Sequence, residues 1–180
     1  VFADADLEAA LDATVFGVFS LNGERCTAGS RVLVQRDIYD DFVEKFAERA
    51  RNIRVGFPTD PKSEVSALVH ANHTEKVLSY IEIGKGEGRL LAGGGVAEDM
   101  PGGNFVSPTV FADVKPDARI FQEEIFGPVV SVAKFDGFEE AMEIANDTLY
   151  GLGSGVWTRN INTAYRAGRE IQAGRVWTNC

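Results

Sequence analysis

Cysteine and histidine are both scarce in this chain of 180 residues. Two cysteines, Cys26 and Cys180, are too few for a disulfide framework and lack the paired spacing of a zinc site. The only histidines, His70 and His73, have no third ligand at a matching spacing, so we expect surface histidines and no metal. A free thiol without disulfide partners is typical of a reducing compartment, and we expect a soluble, cytoplasmic protein.

Two further absences disfavour two classes of partner. The 18 basic residues are outnumbered by 27 acidic ones, which gives a formal charge of −9. No segment gathers Lys and Arg into the patch that a phosphate backbone requires, so we expect no nucleic acid partner. No apolar run approaches the roughly 20 residues that cross a bilayer, and no basic start precedes an apolar stretch, so we expect no membrane partner.

Short apolar strands alternate with amphipathic helices along the chain. The most regular helix face runs over residues 39–50, with Asp37 as its expected cap, and follows a buried-type strand at 32–34. Other helices are predicted at 7–20, at 71–83 with the glycines of 84–88 as its stop, and after 138 and 161. Other strands are predicted at 90–92, 129–135, 155–157 and 176–178, with a loop through Pro101 before an extended segment at 105–114. This alternation predicts one α/β domain with an open, mostly parallel sheet and helices on both faces.

The first candidate for chemistry is Cys26, in a polar loop (residues 21–30, LNGERCTAGS) between the first helix and the first strand. The flanking glycines let the backbone approach a substrate closely, and the charge of Arg25 favours thiolate over thiol. Taken alone, however, a single cysteine is more often a small buried hydrophobe.

The second candidate is the segment QEEIFGP at residues 122–128. Adjacent carboxylates cannot share one face of a strand, so we expect one in a cleft and the other in solvent. A carboxylate beside the ring of Phe126 can hold ribose hydroxyls against a flat heterocycle. On physical grounds alone, a solvated acidic turn is the favoured interpretation.

Together the two segments resemble the paired signatures of the aldehyde dehydrogenase superfamily. Residues 24–31 (ERCTAGSR) resemble its nucleophile motif and residues 123–128 (EEIFGP) its cofactor-ribose motif, in the same order. Matches at 150–152 and 173–179 extend the likeness over nearly the whole chain. Residues 2–7 and 19–27 are most similar to 5-carboxymethyl-2-hydroxymuconate semialdehyde dehydrogenases of bacterial aromatic catabolism. Another semialdehyde dehydrogenase or a betaine aldehyde dehydrogenase is the alternative.

The resemblance implies the fold of an aldehyde dehydrogenase catalytic domain over residues 1–180, and oxidation of an aldehyde through a thioester on Cys26. The implied cofactor is NAD or NADP. Glu124 is expected to hold the nicotinamide ribose, and Phe126 to pack near the cofactor. A looser match places Lys76, with His73 beside it, on the adenosine side. Two further residues flank the thiol and are expected to line the aldehyde path: Arg25 and Thr27.

Several parts of the family pattern fall outside this chain, namely the nucleotide-binding half, the glutamate base and the asparagine of the oxyanion pocket. Both ends also look like interrupted elements, so we expect a fragment that binds NAD poorly and turns over no aldehyde by itself. Full-length family members are usually dimers or tetramers, which implies a homo-oligomer.

Two other functions compete with this one. Cys26 could serve a cysteine hydrolase or acyltransferase, which requires a histidine base in contact with the thiol. The chain could also be a dehydrogenase-like binding module without turnover, in which case Cys26 would be unreactive.

Overall fold

The computed structural model describes residues 1–100 and 102–180, and the predicted loop residue Pro101 lies outside the described part. The helices are α1 (Leu7–Phe19), a 3-10 turn (Ser20–Gly23), α2 (Arg36–Asn52), α3 (Ala71–Glu87), α4 (Arg119–Gln122), α5 (Phe138–Asn146) and α6 (Ile161–Glu170). The strands are β1 (Arg31–Gln35), β2 (Arg89–Ala92), β3 (Thr109–Ala112), β4 (Val129–Phe135), β5 (Gly153–Val156) and β6 (Arg175–Thr178).

Four strands form the main sheet in the order β1-β4-β3-β2. The central strand β4 runs parallel to β1 and to β3, whereas β2 is an antiparallel edge strand. The last two strands, β5 and β6, pair in parallel as a separate two-stranded sheet. The mostly parallel α/β class is therefore confirmed, but the described strands form two hydrogen-bonded sheets where we expected one.

Residues Val1 and Phe2 link the two sheets through their backbone. The amino group of Val1 donates to the Leu33 carbonyl at 2.7 Å, and the Val1 carbonyl accepts from Gln35 at 2.9 Å. The amide of Phe2 donates to the carbonyl of Trp157, directly after β5, at 2.9 Å. One end of the gap between β1 and β5 is thus closed by these two residues.

Helices cover both faces of the main sheet, as predicted. Because side chains alternate along a strand, β4 sends Val130 and Val132 into a core shared with α1 and α2. Its Ala133 and Phe135 enter a second core shared with α3, α5 and α6. Burial of both faces explains why apolar residues fill five of the seven positions of β4 and do not simply alternate with polar ones.

The helix ends refine two sequence predictions. The α2 helix begins two residues earlier than expected, with Gln35 at its N-cap in place of Asp37, which lies in the first turn. The α3 helix continues through Gly84 to Glu87, so the glycines of 84–88 do not stop it where expected. A Cβ at Gly84 would lie 2.6 Å from the Phe111 ring, which shows that a glycine lets α3 approach β3 closely.

A buried tyrosine ties α2 to the sheet. The Tyr39 hydroxyl donates to the Val132 carbonyl at 3.2 Å and accepts from the Asp113 amide at 2.7 Å. Asp113 follows β3 with φ 55°, a left-handed conformation that this bond helps to hold. Burial raises the pKa of Tyr39 to about 12, because the phenolate would lose its hydration.

Among the helices of the described residues, none is both long enough and apolar enough to span a membrane.

Candidate active site

Cys26 lies in a loop that the structure turns sharply out of α1. We call residues 20–30 the Cys26 loop. Three successive residues adopt positive φ: Leu21 at 53°, Asn22 at 61° and Gly23 at 68°. The Asn22 side chain stabilises this turn, since its oxygen accepts from the Ser66 amide at 2.7 Å and its nitrogen donates to the Ala67 carbonyl at 3.1 Å. The Cys26 thiol is consequently free and exposed, and it is not a small buried hydrophobe.

Arg25, directly before the thiol, is directed back towards α1. Its Nη2 donates to the Gly17 carbonyl at 3.1 Å, and the guanidinium lies 5.7 Å from the centre of the Phe16 ring. Its Nε is buried and finds no acceptor among the described residues. No carboxylate in that part of the chain forms an ion pair with it, so the guanidinium keeps an unneutralised positive charge on the α1 side of the Cys26 loop.

The second candidate segment, residues 123–128, is called the Glu124 loop. Arg119 and the Tyr80 hydroxyl both bind the Glu123 carboxylate. The Arg119 bonds, followed by that of Tyr80, lower the pKa of Glu123 to about 2. The Glu124 carboxylate is exposed and has no hydrogen bond or ion pair within the described residues. The structure thus gives the adjacent carboxylates different roles: Glu123 belongs to a salt bridge, and Glu124 remains available to a ligand.

One face of α3 holds the Glu124 loop at three successive points. His73 Nε2 lies 2.6 Å from the Phe126 carbonyl oxygen, and Lys76 Nζ donates to the Glu124 carbonyl at 3.1 Å. A Cβ at Gly127 would lie 2.8 Å from the Val77 side chain, one residue further along the same face. Positions i, i+3 and i+4 lie together on a helix, which explains why these three α3 residues act as one support.

The expectation of two surface histidines is wrong for His73. Its side chain is 12% exposed and packs edge-on against the Phe126 ring. His70 is exposed as expected, and its Nδ1 accepts from the His73 amide at the start of α3. No sequence signal revealed the partner of His73, since the Phe126 carbonyl lies 53 residues away.

The Cys26 loop and the Glu124 loop meet backbone to backbone. A Cβ at Gly23 would overlap the carbonyl of Gly127, and the positive φ of Gly23 also favours glycine. Sequence analysis passed over this contact, although the pair Asn22-Gly23 is a turn signal. The two loops can approach this closely because neither contact position carries a side chain.

A single cavity of about 860 Å³ unites most of the predicted site residues. Its lining includes Cys26 with both of its neighbours, Arg25 and Thr27, and it also includes Glu124 and Phe126. Lys76 is not part of this lining, because it contacts the backbone of Glu124 from the α3 side.

Among the described residues, neither a metal-binding cluster nor a histidine base lies at the thiol. Within residues 1–100 and 102–180, no group of three His, Cys, Asp or Glu side chains could hold a metal ion. His73 contacts the Phe126 carbonyl and approaches Glu24, and no histidine of the described chain bonds to Cys26. The geometry that a cysteine hydrolase would need is therefore not found in this part of the chain.

Comparison with known proteins connects this geometry to a family. The profile described as the aldehyde dehydrogenase family matches residues 1–180. The chain belongs to this family. It is 51% identical over 185 residues to 5-carboxymethyl-2-hydroxymuconate semialdehyde dehydrogenase of Escherichia coli, covering 99% of this chain and 39% of that protein. It is 53% identical to acetaldehyde dehydrogenase 2 of Cupriavidus necator, covering 98% of this chain and 35% of that protein.

Solved structures of aldehyde dehydrogenases confirm the fold. HpcC from Thermus thermophilus superposes with a TM-score of 0.97 at 53% identity, over 99% of this chain and 36% of that one. PnpE in complex with nicotinamide adenine dinucleotide superposes with a TM-score of 0.97 at 44% identity, over 99% of this chain and 37% of the PnpE chain. This aldehyde dehydrogenase chain thus spans between a third and two fifths of the length of such relatives.

Proposed function

We propose that the full-length protein oxidises an aldehyde to a carboxylic acid with NAD or NADP, and that Cys26 is its nucleophile. One observation carries the proposal: the exposed Cys26 thiol and the Glu124 loop line the same cavity, and their backbones touch at Gly23 and Gly127. Membership of the aldehyde dehydrogenase family supports the reaction class.

The residues of the Glu124 loop fit a nicotinamide cofactor. The Glu124 carboxylate is exposed and has no partner among the described residues, so it can accept hydrogen bonds from ribose hydroxyls. Phe126 lines the same cavity and offers an apolar ring beside that carboxylate. When bound, the nicotinamide ring supplies the acceptor for a hydride. The solved complex of PnpE with nicotinamide adenine dinucleotide supports this assignment.

Cys26 would perform the covalent step. Its thiolate sulfur forms a bond to the carbonyl carbon, and the C=O electron pair moves to the oxygen, which becomes an alkoxide. The Cys26 backbone N–H has no acceptor in the described chain and is therefore available to this oxygen. One such donor is worth on the order of 3 kcal/mol. Loss of hydride restores the C=O bond and leaves a thioester on Cys26, and water then releases the acid and the thiol.

Arg25 and Thr27 are proposed to line the aldehyde path, since both border the cavity beside the thiol. The unneutralised guanidinium of Arg25 favours a substrate that carries a carboxylate. A semialdehyde of aromatic catabolism, 5-carboxymethyl-2-hydroxymuconate semialdehyde, has such groups. The likeness to the Escherichia coli enzyme supports this substrate, which we propose for the full-length protein.

Residues 1–180 are proposed to form the thiol-bearing catalytic domain, and the full-length protein to be a cytoplasmic homo-oligomer. Two free cysteines support a reducing compartment. Because the chain spans only part of its relatives, we expect residues 1–180 alone to bind NAD poorly and to turn over no aldehyde.

The proposal is tested by replacing each cysteine in the full-length protein. Cys26→Ala should lower kcat by roughly 10⁴-fold or more, because removal of a nucleophile leaves only binding effects. Cys180→Ala, the matched control, removes the other exposed thiol of residues 1–180; since Cys180 also borders the cavity, we expect a small change in kcat but no loss of catalysis. Iodoacetamide should label Cys26 and inactivate the protein in parallel. Full activity of Cys26→Ala would refute the assignment.

A substrate panel tests the specificity separately. The panel compares 5-carboxymethyl-2-hydroxymuconate semialdehyde with succinate semialdehyde, betaine aldehyde and acetaldehyde, with NAD and NADP in turn. We expect the highest kcat/KM for the first aldehyde. A preference for betaine aldehyde or acetaldehyde would contradict the proposed substrate but leave the role of Cys26 intact.

A further inference from the structure

We infer that His73 is a positioning residue that fixes the Glu124 loop for cofactor binding. The inference rests on the proposed function, since it assigns the Glu124 loop to the cofactor. His73 itself does not line the cavity, so its effect would pass through the Phe126 backbone.

The contact geometry defines what the imidazole does. His73 Nε2 lies 2.6 Å from the Phe126 oxygen, and a carbonyl oxygen only accepts hydrogen bonds, so Nε2 must carry the proton. The same nitrogen lies 3.5 Å from Glu24 Oε1, two residues before Cys26. An N–H at Nε2 exists in the neutral tautomer and in the imidazolium, so the bond to Phe126 requires no charge on the ring.

The neighbourhood makes this bond strong and specific. The side chains of His73 and Glu24 are 12% and 13% exposed, and a hydrogen bond screened from water is stronger than one at the surface. Glu24 is itself fixed, because its Oε1 accepts from the Val69 amide at 3.0 Å. The other titratable ring facing His73 is that of His70, with ring centres 6.1 Å apart. Glu24 thus limits the space on one side of the imidazole, while the Nε2 proton is donated to the Phe126 carbonyl on the other.

The Phe126 backbone needs such support. Its φ is 60°, a left-handed conformation that is unfavourable for a residue with a bulky side chain. Lys76 holds the preceding Glu124 carbonyl, and Val77 packs on the following Gly127, but the described residues provide the Phe126 carbonyl with His73 alone. Without the imidazole, we expect Phe126 to relax towards negative φ and to move the Glu124 carboxylate out of place.

Substitutions of His73 in the full-length protein test the inference. His73→Gln keeps an N–H near the position of Nε2, whereas His73→Leu removes it. Loss of one well-placed hydrogen bond is worth about a tenfold change in an equilibrium constant. We expect His73→Leu to raise the Kd for NAD, measured by calorimetry without aldehyde, about tenfold, and His73→Gln to restore it to within about threefold. The KM for aldehyde should change far less than that for NAD.

A second measurement needs neither cofactor nor turnover. Amide hydrogen exchange at residues 124–127 in the NAD-free protein should be faster in His73→Leu by about tenfold and unchanged in His73→Gln. His73→Asn, whose shorter amide does not reach the Phe126 carbonyl, should resemble His73→Leu and provides a polar replacement should leucine impair folding.

The outcomes separate this inference from the proposed function. Equal behaviour of the leucine and glutamine variants, or a parallel rise of the NAD and aldehyde constants, would overturn the positioning role. A wild-type protein that binds NAD but oxidises no aldehyde would overturn the proposed function, while NAD affinity and hydrogen exchange would still decide the role of His73.

Discussion

The four-stranded sheet and the two-stranded sheet differ sharply in how well they are covered. Every residue of β3 and all but one of β4 are buried, whereas β6 has three exposed residues of four. Helices pack on both faces of the larger sheet and create two cores. The stability of this chain therefore comes mainly from the larger sheet, since burial of apolar surface is the dominant favourable term in folding.

The smaller sheet contributes more surface than core, since Val156 is the one buried residue of its two strands. Tyr150, Leu152 and Trp177 are 54%, 51% and 38% exposed, and all three line the cavity that contains Cys26. Phe16 at 68% exposure faces the same cavity from α1. Clustered apolar exposure marks binding surfaces. The well-packed four-stranded sheet thus positions the Cys26 thiol, and the poorly covered two-stranded sheet borders the cavity that contains the thiol.

The sharpest test of this contrast is Phe111→Ala in β3. The Phe111 ring is fully buried and lies against Gly84 of α3, so its removal leaves a cavity in the second core. We expect a loss of about 3 to 5 kcal/mol in the free energy of unfolding, measured by denaturant titration of the full-length protein. A loss below about 1 kcal/mol would show that the core of the larger sheet is not the main source of stability.

A smaller effect is expected for Tyr39→Phe. The change leaves the Asp113 amide without its partner and removes one of the two hydrogen bonds that the Val132 carbonyl accepts, at a cost of about 1 to 3 kcal/mol. The variant also tests the raised pKa. In the unfolded chain Tyr39 loses its proton near pH 10, whereas in the folded protein, with a pKa of about 12, it keeps the proton. The free energy of unfolding therefore falls as the pH rises from 10 to 12. The unfolding free energy of Tyr39→Phe should fall less steeply between pH 10 and 12, and an unchanged slope would contradict the assignment.

The smallest effect is expected for Leu149→Ser, just before β5. Leu149 is fully exposed, so we expect a change within about 0.5 kcal/mol under the same denaturant titration. This variant is the matched control for Phe111→Ala, because each removes one large apolar side chain. A destabilisation comparable with that of Phe111→Ala would mean that Leu149 is buried by other residues in the full-length protein. The difference in burial between the two sheets would then not hold there.

Sequence patterns predicted the order and type of almost all elements. The helical period of apolar residues was sufficient to predict α2, and the apolar residues of 129–135 were sufficient to predict β4. A helix packed on a sheet buries one face, and a central strand buries both, so each pattern follows from burial. The exceptions have local causes. The sequence suggested that the glycines of 84–88 end α3, yet packing against Phe111 makes a helical glycine at 84 favourable.

The candidate site was predictable only in part. The motifs around Cys26 and Glu124 were visible as a family resemblance, and the structure places both beside one cavity. The support given by His73 was not predictable, because neither its spacing nor its chemistry indicates a backbone carbonyl as partner. Physical reasoning from the sequence did not distinguish the ion-paired Glu123 from the unpartnered Glu124, and only the family resemblance singled out Glu124.

The sequence by itself determined the fold class, the position of the thiol in a loop after α1, and the family to which the chain belongs, since these depend on local periodicity and on contiguous motifs. Only the tertiary structure decided that the Cys26 loop and the Glu124 loop touch at two glycines and that α3 supports one of them. The physical reason is that contacts between segments about a hundred residues apart depend on how the helices pack on the sheet, which no local pattern encodes.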